Sequence, residues 1–134
     1  MTSKLAVICG AAMALLIAAA PGSAHHGRAP YDMTTLSTVK GTVTAFDWMN
    51  PHSIIYADIK NDQGEVEKWL FETEPPTTLD RCGWSSNGQK SGLFVKPGDQ
   101  VTFIGNRAKN GKPIMVLSKV VLAGGKELDA LCQR

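Results

Sequence analysis

The sequence predicts an all-β domain with one short helix. Five segments between residues 35 and 123 are rich in β-branched and aromatic residues, and the third, EVEKWLFETE, alternates with the period of a strand. Turn-forming runs such as NDQG and PGD separate the segments. The stretch TTLDRCGW, between the third and fourth segments, instead offers Thr77 or Thr78 as a helix cap and Gly83 as a helix stop.

The order of these elements predicts a small barrel. We expect strands in 35–49, 52–60 and 65–74, a short helix in 77–84, and further strands around 100–106 and in 113–123. Three strands, a helix and two more strands is the order of the five-stranded OB-fold barrel, in which a long, bent first strand serves both halves. An open β-sandwich is the alternative architecture.

The first strand carries the signal for that bend. Gly41 lies inside the strand, and a glycine in this position predicts a bend or a bulge. Strict alternation along the strand places Val43 and Ala45 on one face of the sheet and Phe46 and Trp48 on the other.

The first 24 residues have the pattern of a secretory signal peptide. A lysine opens the segment, residues 5–20 are an apolar run, and the small residues GSA end at position 24, where a signal peptidase cuts. The apolar run is shorter than the roughly 20 residues that a membrane-spanning helix needs. We therefore expect a signal peptide over 1–24, a single mature domain over 25–134 without a membrane span, and a periplasmic or secreted location.

Charge and motif content exclude several classes of function. Lys4 is the only charged residue of the first 24, so 13 basic and 12 acidic side chains remain and the mature net charge is about +1. No basic block or stripe is present, which argues against nucleic acid as a partner. The sequence also lacks the GxSxG, HExxH and glycine-rich phosphate-loop motifs, so it favours a binding protein over an enzyme.

Two cysteines, Cys82 and Cys132, belong to the expected mature domain. In an oxidising compartment two cysteines usually pair, and a bridge between positions 50 residues apart typically stabilises a fold by about 2–4 kcal/mol. A thiolate metal site is the alternative, but the chain has no CxxC spacing to support it. The sequence therefore favours a Cys82–Cys132 disulfide.

The three histidines are the candidate metal ligands. Cleavage after residue 24 makes His25 the amino terminus, where its α-amine and its imidazole can chelate one ion. An imidazole from His26 or His52 would complete a set of three nitrogen atoms, and all-nitrogen sets of this kind suit Cu(II) best. The alternative is a terminal tail that binds nothing.

A second candidate surface lies around the WMNPH run. Trp48, Asn50 and His52 alternate, and they face the same way if the chain stays extended through Pro51. An aromatic ring, an amide and an imidazole on one side would suit a small organic ligand, a glycan or a periplasmic protein partner. Two structural interpretations compete with this one: a histidine that closes a turn by bonding nearby backbone, and a tryptophan that belongs to the core.

An ordered set of motifs covers about residues 24–122. They are a post-signal AHH, a nearby YD, then GTVTAFDWMNPH, EKWLFETE, GW, KPGDQVTFIG and AKNGKP. In these motifs the chain resembles an uncharacterised family of small exported bacterial proteins. The resemblance implies an exported single β-domain and supplies no activity. It also implies that the following residues belong to the family's motifs: His25, His26, Trp48, Asn50, Pro51, His52 and Glu72. Many relatives carry another residue at the position of Cys82, which favours a stabilising bridge over a shared function.

The leading interpretation is thus an exported β-barrel domain that binds a transition metal, with copper preferred, through His25 with His52 or His26. Its role would be carriage, sensing or storage. The alternative is a module that binds a small organic ligand, a glycan or a protein partner through the face of Trp48, Asn50 and His52. Glu72 is a further candidate ligand-binding residue beside Trp48 and Asn50. A copper oxidase acting on polysaccharide fits less well, because so small a domain offers little flat surface.

Overall fold

The computed structural model describes residues 27–86 and 94–131. Within them the chain forms β1 (Ser37–Asp47), β2 (Ile54–Lys60), β3 (Val66–Glu72), α1 (Pro76–Arg81), β4 (Gln100–Arg107), β5 (Ile114–Leu122) and β6 (Glu127–Asp129). The expected signal peptide, His25, His26 and Cys132 lie outside the described residues.

The first five strands form a closed barrel. β1 pairs antiparallel with both β2 and β4, β2 pairs with β3, and β4 pairs with β5. A parallel pairing of β3 with β5, from Leu70 opposite Ile114 to Glu72 opposite Val116, completes the circle. With α1 between β3 and β4, this is the predicted OB-fold arrangement, and the closure excludes the open sandwich.

β1 serves both halves of the barrel, as expected, but Gly41 has a different task from the predicted one. Gly41 lies opposite Ile59 of β2 and opposite Val101 of β4. A Cβ atom at this position would collide with the backbone oxygen of Asp58 and with the side chain of Ile59. Glycine is therefore needed here because β2 approaches β1 closely, and not because the strand bulges at this residue.

The bulge lies further along, between Val43 and Ala45. It interrupts the alternation of β1, because an extra residue on one strand turns the following side chains towards the other face. Val43 is buried, and Phe46 and Trp48 pack against the same core. The prediction that these two aromatic residues lie on the face opposite Val43 is therefore wrong.

Aromatic rings fill the centre of the barrel. Phe71 and Phe103 stack with ring centroids 3.8 Å apart, and Trp69 stacks on Phe71 at 5.7 Å. Trp69, Phe71 and Thr73 are all buried, which confirms the alternation predicted for the third strand. The core thus continues up to the end of β3.

α1 begins after Pro75, which occupies the N-cap position without a side-chain hydrogen bond. The predicted cap at Thr77 or Thr78 is therefore wrong, and prolines at the start of the helix supply the fixed φ that a first turn requires. Gly83 adopts a φ of 84° just after the helix, so the predicted glycine stop is confirmed. Leu79 is fully buried and anchors the helix to the core.

β6 is an additional strand that the sequence does not predict. Its three residues pair antiparallel with β5, and Leu128 is buried against the core. Trp84, just after α1, donates a hydrogen bond from Nε1 to the backbone oxygen of Asp129 at 2.7 Å. This bond joins the helix region to the outer strand.

The N-terminal segment, residues 28–36, lies against the end of β4. Tyr31 forms an isolated antiparallel bridge with Ala108, and its side chain is buried. Asn106 of β4 donates from Nδ2 to the backbone oxygens of Asp32 at 2.8 Å and Thr35 at 3.0 Å. These bonds attach the segment to the barrel.

Candidate functional site

His52 lies just before β2, immediately after a cis Asn50-Pro51 peptide bond. Its Nδ1 lies 2.9 Å from the backbone oxygen of Thr73. A carbonyl oxygen only accepts, so Nδ1 carries the proton and the neutral imidazole keeps its lone pair on Nε2. Among the described residues no hydrogen bond engages Nε2, and the side chain is 38% exposed.

The carbonyl that holds His52 belongs to a rigid part of the backbone. Thr73 donates from both its N–H and its Oγ1 to the backbone oxygen of Ser53, each at 2.9 Å. Ser53 in turn donates its N–H to the backbone oxygen of Glu74 at 3.3 Å. Ser53 and Thr73 are both buried, so the pairing of β2 with β3 continues beyond the strand ends and fixes the orientation of the ring.

Glu72 lies beside the same imidazole. Its Oε1 is 3.5 Å from His52 Nδ1, and its Oε2 accepts a hydrogen bond from the Tyr31 hydroxyl at 2.5 Å. Burial, then the hydrogen bond and the charge of Glu72, raise the pKa of Tyr31 far above its ordinary value. The phenol therefore stays protonated at neutral pH and acts as a donor to Glu72.

Glu74, two residues further along, contacts the other end of the N-terminal segment. Its Oε1 accepts a hydrogen bond from Arg28 Nη2 at 3.2 Å. The two glutamates on either side of Thr73 thus bind two side chains of the N-terminal segment. This arrangement attaches Arg28, near the start of the described chain, to the residue that follows Thr73, whose backbone oxygen accepts the hydrogen bond from His52.

Trp48 and Asn50, which were predicted to face the same way as His52, do not line up with it along an extended chain. The chain bends at Asn50 and Pro51, so the extended conformation on which the alignment of Trp48, Asn50 and His52 depended is absent. Trp48 is half-buried and packs edge-on against Phe46, with ring centroids 5.6 Å apart, while Asn50 is exposed. Trp48 therefore contributes to the core, as the competing interpretation expected.

His52 also makes the backbone hydrogen bond that the structural interpretation of this residue expected. That bond uses Nδ1 and leaves Nε2 to a ligand, so the structural and the metal-binding interpretations are compatible. Sequence reasoning missed Arg28 and Tyr31 as members of the site. The YD pair of the family motifs contains Tyr31, but no local pattern connects it to Glu72.

Within the described parts of the chain, no group of three His, Cys, Asp or Glu side chains is arranged to hold a metal ion. His52 and Glu72 offer one nitrogen and one carboxylate, and a complete set needs further donors. His25, His26 and Cys132 lie outside the described ranges. The terminal chelate and the Cys82–Cys132 bridge therefore stay predictions.

The fold and this site define a small OB-type β-barrel with an N-terminal segment fixed beside a surface histidine. The chain belongs to DUF6152, a family of unknown function, whose sequence model matches residues 12–116. This match confirms the resemblance to an uncharacterised family. No curated protein matches the chain. In residues 27–86 and 94–131, no helix has the length and apolar character needed to cross a membrane.

Proposed function

We propose that this protein is an exported metal-binding protein. It binds a transition metal, with copper preferred, through the amino-terminal His25 together with His52. The observation that carries this proposal is the hydrogen bond from His52 Nδ1 to the Thr73 carbonyl. Metal-binding histidines almost always donate their other ring N–H to a carbonyl or a carboxylate, which fixes the tautomer and orients the ring. His52 has this arrangement, and the Glu72 carboxylate lies 3.5 Å from the same nitrogen.

The position of Arg28 supports the second part of the proposal. His25 precedes Arg28 by three residues, and an extended chain spans at most about 3.6 Å per residue, so their Cα atoms lie within about 11 Å of each other. Arg28 is bound to Glu74. Glu74 follows Glu72 by two residues, and the Glu72 carboxylate lies beside His52. This attachment supports the proposal, because a chain fixed at Arg28 is long enough for His25 to reach the neighbourhood of His52.

The donor set fits copper chemically. An α-amine, its own imidazole and a second imidazole give three nitrogen atoms, which suit Cu(II) better than other divalent ions of the first transition row. All three donors must be deprotonated to bind, so affinity falls in acid. His26 is the alternative source of the second imidazole. Carriage, sensing or storage of the ion would each need only reversible binding.

A metal titration of the mature protein tests the proposal. The protein beginning at His25 is compared with the same protein carrying one extra residue before His25, and with His52→Ala and His26→Ala. We expect tight Cu(II) binding that the extra residue abolishes and that His52→Ala weakens, while His26→Ala binds as the parent does. Equal, weak binding of Cu(II) and Zn(II) by the first two forms would overturn the proposal. The alternative, a non-metal ligand or a partner bound around Trp48, Asn50 and His52, would then lead.

Export is a separate part of the proposal with its own test. Amino-terminal sequencing of the protein recovered from outside the cytoplasm should read HHGRAP. A start at Met1 would contradict cleavage, and with it the free amine of His25 on which the chelate depends.

A further inference from the structure

Two lysines face each other on the outer side of the barrel. Gly41 of β1 lies opposite Ile59 of β2. In this antiparallel register the next position holds Lys40 and Lys60, and both side chains are exposed. Like charges directly opposite each other destabilise a pair of strands. The two lysines therefore cost stability unless a negative group lies between them.

Within the described part of the chain, this pair has no partner of opposite charge. None of the ion pairs found there involves Lys40 or Lys60. Asp58 lies on the same face of β2 as Lys60, but both of its carboxylate oxygens accept hydrogen bonds from Lys68 Nζ, at 2.7 and 2.8 Å. Three lysines and one aspartate leave these four side chains with a net charge of +2.

A cleft of about 490 Å³ lies along the pair, and the residues that line it include Lys40, Thr42, Lys60 and Gln100. Gln100 donates a hydrogen bond from Nε2 to Thr42 Oγ1 at 2.6 Å. A hydroxyl can donate while it accepts, and in the described ranges no acceptor engages the Thr42 hydrogen. The cleft therefore presents one oriented hydroxyl donor beside two ammonium groups.

The pairing of β1 with β2 holds these donors at a fixed spacing. β2 approaches β1 closely at Gly41, where a Cβ atom would collide with the backbone oxygen of Asp58. Gly41 stands between Lys40 and Thr42 in the sequence, so this approach also sets the separation of the two sides of the cleft. Groups carried by paired strands are placed more precisely than groups carried by loops. An anion that enters the cleft thus meets donors that are already in position.

We infer that this cleft binds a phosphate group, with Lys40, Lys60 and the Thr42 hydroxyl as the donors. A phosphate monoester carries a charge of about −1.5 to −2 at neutral pH and has three strong acceptor oxygens, which match the charge and the donors of the cleft. Lysine is a common phosphate ligand, because its ammonium group acts as a point charge. The cleft lies at the opposite end of β2 from His52, so this inference goes beyond the proposed metal binding and does not depend on it.

Two sources can present a phosphate monoester to the cleft: a small ester in solution and the head group of a lipid. Val66 of β3 lies opposite Lys60 and is 53% exposed, so an apolar side chain borders the cleft. A lipid head group would bring acyl chains towards this side chain, whereas a small ester would not. The experiment therefore includes both sources.

The test is a titration of the mature protein without metal, followed by the NMR signals of its backbone amides. Inorganic phosphate is added at constant ionic strength, with chloride as the balancing anion. The variants are Lys40→Gln, Lys60→Gln and Thr42→Val. Lys112→Gln is the matched control, because it removes an exposed lysine from the turn before β5, which does not line the cleft.

In the parent we expect saturating shifts that are confined to the amides around the cleft. Lys40→Gln and Lys60→Gln should each bind phosphate about 10-fold more weakly, since each loses one hydrogen bond between charged groups. Thr42→Val should show a smaller loss, and Lys112→Gln should bind as the parent does. Shifts that do not saturate, or an equal loss in Lys112→Gln, would indicate screening of surface charge alone and would overturn the inference.

A stability measurement tests the lysine pair without any ligand. Lys60→Glu puts a carboxylate opposite Lys40, so attraction replaces repulsion across the two strands. We expect this variant to unfold at a higher urea concentration than the parent in low salt, and to lose phosphate binding. A midpoint below that of the parent would contradict the repulsion from which the anion site is argued.

Sedimentation with vesicles separates the two sources of phosphate. One set of vesicles contains phosphatidylcholine alone, and the other contains equal parts of phosphatidylcholine and phosphatidic acid, whose head group is a phosphate monoester. Cosedimentation with the second set alone, weakened by Lys40→Gln and Lys60→Gln but not by Lys112→Gln, would assign the cleft to a lipid head group. Saturable binding of inorganic phosphate without cosedimentation would assign it to a soluble ester. If the protein binds neither inorganic phosphate nor the second set of vesicles, the inference is wrong.

Discussion

Tyr31 and Glu72 are joined by a 2.5 Å hydrogen bond although 41 positions separate them in the sequence. The bond connects the N-terminal segment to the end of β3, beside the proposed metal ligand. Because one partner is buried and the other is ionised, the pair affects stability and pH dependence as well as the site.

Replacing Tyr31 by phenylalanine should destabilise the fold. The variant keeps the buried ring but removes the only donor to Glu72 Oε2 found in the described residues, and a hydrogen bond to a charged group contributes about 1.5–3 kcal/mol. Urea unfolding without metal measures the change. Tyr56→Phe is the control, because among the described residues no hydrogen bond engages that hydroxyl. Equal midpoints for the two variants would contradict the prediction.

The same pair predicts a loss of stability in alkali. Burial and Glu72 raise the pKa of Tyr31 above its ordinary value, so above about pH 10 the unfolded chain releases a proton that the folded chain retains. Titration of Tyr31 therefore leaves the free energy of unfolding unchanged below that pH, and it lowers this free energy as the pH rises beyond it.

Lysines titrate in the same range, so the comparison is between parent and Tyr31→Phe. We expect the stability difference between them to shrink from about pH 8 to about pH 11, measured by urea unfolding at each pH. A constant difference would show that the tyrosine titrates alike in both states.

Gly41→Ala should destabilise the barrel. The new methyl group would meet the backbone oxygen of Asp58, which cannot move without disturbing the pairing of β1 with β2. Overpacking of this kind costs about 1–3 kcal/mol. In Gly124→Ala the methyl group meets nothing within 4 Å, so its midpoint of thermal or urea unfolding should stay close to that of the parent. Similar losses in both variants would argue against the close approach.

Copper should stabilise only the form with a free His25 amine. The unfolded chain keeps the His25 chelate, so copper stabilises the fold only by the extra affinity that His52 supplies, and a roughly 100-fold preference for the folded state would add about 2.7 kcal/mol. Thermal unfolding with and without Cu(II) should show this shift for the mature protein, and a chelator should reverse it. The protein with one extra residue before His25 should show no such shift, and an equal rise in both forms would point to binding elsewhere.

The fold could be predicted from the sequence because its main signals are local. Alternation along β3, the turn runs and the glycine after α1 each act within a few residues. The bulge between Val43 and Ala45 has no such signal, since neither glycine nor proline marks it. β6 is too short for its periodicity to be recognised, and its pairing with β5 depends on the barrel already being in place.

The site could be predicted only in part for the same reason. His52 is identifiable as one of few histidines, and Glu72 through its motif. The contacts of Tyr31 and Arg28 join positions that are 41 and 46 residues apart, so they exist only once β3 lies next to the N-terminal segment. The spacing of residues along the chain therefore does not predict these two contacts.

The attachment of the N-terminal segment also has a consequence for the order in which the protein is made. The N-terminal segment is bound by Glu72 and Asn106, which are both synthesised after it. The hydrogen bond from Asn106 to Asp32 spans 74 positions of the sequence. Contacts this distant in sequence form late, because the intervening chain must first be ordered. The first residues of the domain to be synthesised are thus among the last to be fixed. A chain interrupted before β4 would contain all three histidines and still lack the hydrogen bonds from Asn106 that attach the N-terminal segment to the barrel.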